Sequence, residues 1–449
     1  MRARSGAVTP RPSVRAPRRV AMPRLLDETL AGGLHLVAVR RPSVPMVEVR
    51  LCVPLGAGLV RHAAGPLVLT GAVTAGTTHH DRASLADAFE RLGGALDAAL
   101  DDDVVSLHAF GLATKLPTLL DLVNDVLTGA TYPADEVRAE RDRTADEVVM
   151  DLSRPEVQAG EAFRARLYGD HPYATPTPRP DALRRVGAAS LRTIHPRIFN
   201  PRGAHLIVVG DVGTARVERL VSERLGPWLA GASRAVAPLA PLPPITPGGI
   251  ELHDRPGAPQ SNVLVGGAAP RRTDPQWPAT ALANLVVGGM FTSRLVENLR
   301  ERHGYTYSPH SDVYHGRPGS TVIVTAEVGS AVTAASLVEL RYELGRAAAL
   351  GVSEEELEGA RRYAIGSYLI RTSTQRGLAA TLAAYATSDT PASLVFDYPA
   401  RVARTTLDEV NAAARHHLGP GSMATVVVGD ADLVGPSLRA LDEVATPSS

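Results

Sequence analysis

Apolar residues along the chain recur with two periods that alternate from one segment to the next. MVEVRLCVPLG, from Met46, alternates as a half-buried strand. Ser84 is placed to cap a helix whose Leu85, Ala88, Phe89 and Leu92 share one face, and Gly93-Gly94 ends it. LDAALDDDVVSLHAFGL reads as a hairpin with an acidic turn, LPTLLDLVNDVLTGA as an amphipathic helix, and ADEVRAERDRTADEVVMDL as another. The strand HLIVVGD follows, then a helix bearing Val217, Leu220, Val221 and Leu225. Hairpins beside helices, without strict βαβ alternation, predict an α+β fold with largely antiparallel sheets.

The proline-dense stretch SRAVAPLAPLPPITPGG, residues 233–249, cannot hold regular helix or sheet and divides the chain into near-equal halves. The halves resemble each other. HLIVVGDV from His205 recurs as TVVVGDAD from Thr425, with the Gly-Asp pairs 219 positions apart, and PADEVRAERDR from Pro133 pairs with SEEELEGARRY from Ser353 at nearly the same offset. A spacing this long marks a tandem domain repeat, since solenoid units run at ~20 to 50 residues. The predicted organisation is a disordered basic arm over 1–22, a first domain over 23–232, a linker over 233–249 and a homologous second domain over 250–449.

Composition removes several classes of function. With 449 residues the chain can build two or three cores, and its 47 basic and 47 acidic side chains give no bulk attraction to nucleic acid or an anionic membrane. Lys115 is the sole lysine, in GLATKLPTLL, a context that suits neither a phosphate-cradling loop nor a pyridoxal Schiff base. Cys52 has no partner for a disulfide and lies in VRLCVPL, which predicts a buried thiol. MRARSGAVTPRPSVRAPRRV lacks the apolar stretch of a secretory signal, and no run approaches the ~18 to 20 apolar residues of a membrane span, so a cytoplasmic location is expected.

None of the 14 histidines stands in H-E-x-x-H or its inverse, the spacings that aim two imidazoles from one helical face at zinc. His79-His80 near Asp101-Asp102-Asp103, and His310 with His315, could in principle bind metal, but adjacent histidines on a strand or loop point apart. His416-His417 reads as a helix end before Gly419-Pro420. Acyl transfer and dinucleotide binding lack their Gly-rich signatures.

Several longer segments carry a resemblance: GAGLVRHAAGPLVLTGAVTAGTT followed by ERLGGALDAAL, then RAERDRTADEVVMDLSRPE, the VVGD strand, and VVGGMFTSRLVENLRERHGYTYS in the second half. Together they resemble the insulinase/pitrilysin group of zinc peptidases, and within it the paired-subunit branch that includes mitochondrial processing peptidase. Aligning Gly76-Thr77 with the Gly-Thr that follows that group's H-x-x-E-H helix puts Leu67, Thr70 and Gly71 at the two histidines and the catalytic glutamate. Leu67 and Gly71, at the histidine positions, have no donor atoms to offer zinc, and Thr70, at the glutamate position, cannot take a proton from water near neutral pH. Glu147, 76 positions after Gly71, corresponds to the third ligand and is left alone; read by itself it is a solvated helix residue.

The second-half signature is intact. The resemblance implies that Arg300 and Tyr307 are the arginine and tyrosine that a zinc-free subunit lends to its partner's active site, where both can donate to a peptide carbonyl and its oxyanion. Without it, Arg300 reads as a helix-terminal cation before Gly304 and Tyr307 as a strand residue. Gly288-Gly289 reads as a turn that permits close backbone approach. The expectation is a non-catalytic, substrate-binding subunit with no metal of its own. Its partner is a homologous chain bearing H-x-x-E-H and zinc, and the substrate is an unfolded or short peptide. The alternative is a catalytically dead scaffold or peptide-binding protein of the same fold.

Overall fold

A computed structural model describes residues 24–447, and the expected basic arm over 1–22 lies outside them. The first half forms a six-stranded sheet from β1 (Leu25–Thr29), β2 (His35–Arg40), β3 (Met46–Pro54), β4 (Ala95–Asp101), β5 (Val104–Leu112) and β6 (His205–Gly210), in the order β1-β2-β6-β3-β5-β4. The second half repeats five of these strands with β7 (Ile250–Asp254), β8 (Gln260–Ala269), β9 (His310–His315), β10 (Ser320–Gly329) and β11 (Ala424–Gly429), and adds the last strand, β12 (Val444–Ala445), parallel to β7 where β1 is antiparallel to β2, in the order β12-β7-β11-β8-β10-β9. The corresponding strands β6 and β11 each run parallel to one neighbour and antiparallel to the other. Most remaining pairs are antiparallel, as the α+β reading requires.

Local chemistry sets the helix ends. Asp81, not Ser84, caps the Arg82–Glu90 helix, its carboxylate accepting the Ser84 backbone N–H at 2.8 Å. Gly93, at φ +65°, turns the chain out of it. Ser353 and Glu356 form a reciprocal capping box at the start of the Glu354–Arg371 helix.

Strand β3 departs from the half-buried expectation because both of its faces are covered. Val47, Val49, Leu51 and Val53 face the helices of their own half, whereas Cys52 lies with Val37, Val39, Ile207 and Val209 against Leu378, Ala379 and Leu382 of the second-half helix Gln375–Ala386. Burial there pushes the Cys52 thiol up to about 12, which leaves it inert. The exchange is reciprocal. Phe163, Leu167 and Tyr168 of the first-half helix Pro155–Tyr168 pack on Leu264, Val426 and Val428 of the second sheet. Gly266 allows that approach: a side chain there would lie 2.8 Å from the Phe163 ring. Fully burying an aromatic such as Phe163 contributes about 2 to 3 kcal/mol, so each half depends on a helix from the other.

Residues 233–249 contain no helix or strand, yet Leu239 is buried and Leu242 and Ile245 pack at the same junction. Nearby, Arg317 of the β9–β10 turn forms an ion pair with buried Asp103 of the β4–β5 turn at 2.9 Å, and Tyr173 donates its hydroxyl to the same carboxylate at 3.0 Å.

Burial also keeps several histidines neutral. It lowers His195, which sits between the Tyr132 hydroxyl (2.7 Å) and the Leu127 carbonyl (2.9 Å), and takes His205 to about 4 and His315 to about 3. Because folding depresses these values below the ordinary 6.5, their stability is complete above that pH and is lost as pH falls through the folded values. The thermal midpoint is therefore expected to decline from about pH 6.5 downward. A melting series that stays flat between pH 7 and 4 would show that these imidazoles are not the acid-sensitive groups.

Candidate functional site

The helix Ala64–Ala72 presents the three aligned positions, of which Leu67 and Gly71 carry no donor atom. Leu67 packs on the first-half core. The Thr70 hydroxyl donates to the Leu67 carbonyl at 2.8 Å, within its own helix. Gly71 faces Glu140 of the Ala134–Ser153 helix so closely that a methyl group at Gly71 would overlap Glu140 Oε1. Glu140 thus fills the volume that a side chain at Gly71 would enter.

The remaining carboxylate is also engaged. Arg143, one helical turn from both Glu140 and Glu147, forms ion pairs with each. The Glu140 hydrogen bond holds Arg143 above the usual arginine range, and the side chain of Glu147 is 55% exposed. Zinc needs three or four convergent donors, and this set supplies one buried and one exposed carboxylate bridged by a guanidinium. The residues do not fit the ion. Among the described residues no group of three or more His, Cys, Asp or Glu is placed to hold a metal.

The adjacent histidines do not point apart as expected. His79 Nδ1 and His80 Nδ1 lie 2.7 and 3.2 Å from the two oxygens of Asp125, and Thr77 donates to the same carboxylate at 2.5 Å. This cluster ties the loop to the Leu116–Gly129 helix and does not involve the acidic run. His310 and His315 do not converge either: His310 is exposed, whereas His315 packs edge-on against Trp277 at 4.3 Å.

The second-half pair does come together. Arg300 lies in a π-helical turn, Val296–Arg302, and Tyr307 lies in the irregular segment before β9 rather than in a strand. The guanidinium carbon of Arg300 is 4.5 Å from the Tyr307 ring centroid and 4.9 Å from that of Phe291, so the cation is held between two aromatic faces. Both rings are exposed, Tyr307 by 77% and Phe291 by 71%. The nearest carboxylate to Arg300 is its neighbour Glu301, at 3.2 Å.

The turn beneath is fixed. Leu295 and Leu299 are fully buried, Asn298 donates to Glu339 and Glu343 at 2.9 Å each, and Gly304 at φ +65° redirects the chain. Gly288 belongs to a second π-helical turn, Leu285–Gly289, and the close approach expected of it is to β9: a side chain would lie 2.6 Å from Ser311 Cβ. π-Helical turns are uncommon and recur at functional sites, where the wider turn re-aims side chains. Phe291, Glu140 and Arg143 escaped the sequence reading. Phe291 stands inside the quoted signature, and Glu140 lies two helical turns before Glu147, so position alone was the available signal.

A model of the insulinase (peptidase family M16) domain matches residues 69–181, and one of the peptidase M16 inactive domain matches residues 185–363. The chain belongs to the insulinase family, M16. A Mycobacterium tuberculosis protein described as an uncharacterized zinc protease is 27% identical over 441 residues, 91% of this chain and 94% of that protein. A Streptomyces coelicolor protein so described is 26% identical over 408 residues, 89% of this chain and 88% of its own. The match to a Mycobacterium leprae relative, 28% identical, spans 63% of this chain and 64% of that protein. Among solved structures, a peptidase M16 inactive domain from Pseudomonas fluorescens superposes with a TM-score of 0.83 at 21% identity, covering 91% of this chain and 98% of its own. A putative M16-like peptidase from Alicyclobacillus acidocaldarius gives 0.74 at 17% identity, covering 92% and 99%.

Within this M16 chain the Gly71–Glu140 packing makes a direct prediction. Gly71→Ala is expected to cost about 2 kcal/mol, because the methyl must displace a buried carboxylate from its arginine. In Glu140→Ala the same change should cost little, so a double-mutant cycle by chemical denaturation should show strong coupling. Additive costs would mean that Glu140 is not what fills the site.

Proposed function

We propose that this chain is the non-catalytic, substrate-binding subunit of a heterodimeric M16 peptidase. Its partner would be a homologous chain with intact H-x-x-E-H and zinc, and the pair would enclose a chamber that admits unfolded or short peptides. The observation that carries this reading is the exposed Arg300 rack: a cation clamped between Phe291 and Tyr307 on a protein with leucine and glycine at the positions aligned with the zinc histidines. The Arg300 guanidinium and Tyr307 hydroxyl would hold a peptide carbonyl in the partner's site and stabilise the oxyanion as water adds. Held by aromatic faces, the donors are positioned before substrate arrives, which lowers the ordering cost of binding.

The test begins with metal analysis. The purified chain is expected to contain far less than one zinc per molecule and to leave peptides uncut, while co-purification with the zinc-bearing partner should give peptidase activity. Stoichiometric zinc in the isolated chain, or hydrolysis without a partner, would refute the assignment. Full activity in a pair carrying Arg300→Ala would favour the scaffold reading instead.

A further inference from the structure

The second half holds a cavity of about 470 Å³ between the Trp277–Asn284, Glu354–Arg371 and Gln375–Ala386 helices and β9. In the duplicated fold it corresponds to the first-half face described above: Tyr363 and Ser367 line it, each 220 positions after Arg143 and Glu147. The chemistry of the two sites has diverged. Where the first half pairs its arginine with two glutamates, the second presents arginines without a counter-ion among tyrosines.

Arg272 donates Nη1 to the Ala384 carbonyl (3.2 Å) and the Ser388 hydroxyl (2.8 Å), and its guanidinium lies 4.9 Å from the Tyr385 ring centroid. Among the described residues its Nε and Nη2 meet no acceptor, and neither it nor Arg371 pairs with a carboxylate. Burial draws Arg272 below the usual arginine range, and the like charge of Arg371 adds to the effect. Asp312 also lines the cavity, but its side chain is 61% exposed and it pairs with neither arginine. Trp277, in the wall, buries its indole N–H without an acceptor. Arg371, exposed at the rim, and the half-buried Arg272 both face the cavity with like charge, and an entering anion relieves their repulsion and meets the free Arg272 donors.

We propose that this cavity binds the C-terminal carboxylate of a peptide ending in an apolar or aromatic residue. Arg272 and Arg371 would take the carboxylate, and the rings of Tyr368, Tyr385 and Tyr398 the side chain. The volume suits a group of that size. β9 is the edge of its sheet, and beyond Ser311, whose carbonyl accepts from Asn284 at 3.0 Å, its outer backbone groups run beside the opening for the residues that precede the terminus. The site lies wholly within this chain and does not rest on the pairing proposed above.

Isothermal titration of the full chain, alone, with N-acetyl-Ala-Ala-Phe as the free acid and as its C-terminal amide tests the idea. The acid is expected to bind, the amide at least about tenfold more weakly, and Arg371→Gln and Arg272→Met each to weaken the acid by about tenfold or more. Among the described residues Arg371 hydrogen-bonds no other side chain, so its variant tests the site even if Arg272→Met unfolds. Absence of binding, equal binding of acid and amide, or an Arg371→Gln protein that binds the acid like the parent would overturn the proposal. So would inorganic phosphate competing as strongly as the peptide acid, which would mark a plain anion site.

Discussion

Arg300→Ala is expected to lower peptide hydrolysis by the proposed heterodimer by roughly one hundred- to one thousand-fold, the usual loss when one preorganised oxyanion donor is removed. The loss should fall on kcat more than KM, because the donors act most strongly once charge develops on the carbonyl oxygen. Tyr307→Phe keeps the ring that stacks on Arg300 and deletes only the hydroxyl, so its penalty should be smaller, about tenfold. Phe291→Ala removes neither donor but takes away one wall of the clamp. It should therefore reduce the rate by loosening Arg300, and Arg300→Lys should fail to rescue activity because an ammonium cannot stack as a planar fork. Steady-state kinetics of these variants in the same partner background decides the matter. A pair containing Arg300→Ala that turns over like the parent would remove Arg300 from the chemistry altogether.

Arg294→Met is expected to destabilise the folded chain by on the order of 3 kcal/mol at neutral pH. Arg294 is 8% exposed and makes a bidentate pair with Glu356, 2.7 Å on each arm, while Nη2 also donates to the Gly351 carbonyl at 3.0 Å. The estimate sits at the lower end for breaking a buried pair because Glu356 retains 32% of its exposure to water. The Arg294 hydrogen bond, with help from the Ser353 cap, pulls Glu356 down to about 2 from an ordinary 4.5. A depressed carboxylate contributes stability that is complete above about pH 4.5 and is lost as pH falls toward 2, so the gap between parent and variant should narrow in acid. Denaturation midpoints at pH 7 and near pH 3 read both effects. No cost at neutral pH, or a gap that does not shrink, would show that the pair is not holding the π-helical turn two residues onward.

What the sequence disclosed was periodicity and repetition. The Gly-Asp pairs 219 positions apart announced two sheets alike in five of their six strands, and the hairpin, the strands and the long helices lie where their patterns placed them. It could not disclose which surfaces meet across the repeat. VRLCVPL alternates like a strand with one wet face, and only the distant helix Gln375–Ala386 accounts for the burial of Cys52. That Leu67 and Gly71 cannot ligate zinc follows from residue type alone, because a side chain without a donor atom cannot bind metal in any fold. That Glu140 fills the space beside Gly71 is a three-dimensional fact carried by a residue that looks like any other helix glutamate. The π-helical turns under Arg300 were likewise hidden, since VVGGM and VENLRER have no local signal that distinguishes a wide turn from an ordinary one.

The mutual loan of helices between the halves also bears on synthesis. As the chain leaves the ribosome, the first sheet is complete once β6 has emerged, but the surface formed by Val37, Val39 and Ile207 stays uncovered until residues 375–386 arrive. At ordinary translation speeds that wait lasts roughly ten to thirty seconds, during which the nascent protein displays a greasy sheet that chaperones must shield.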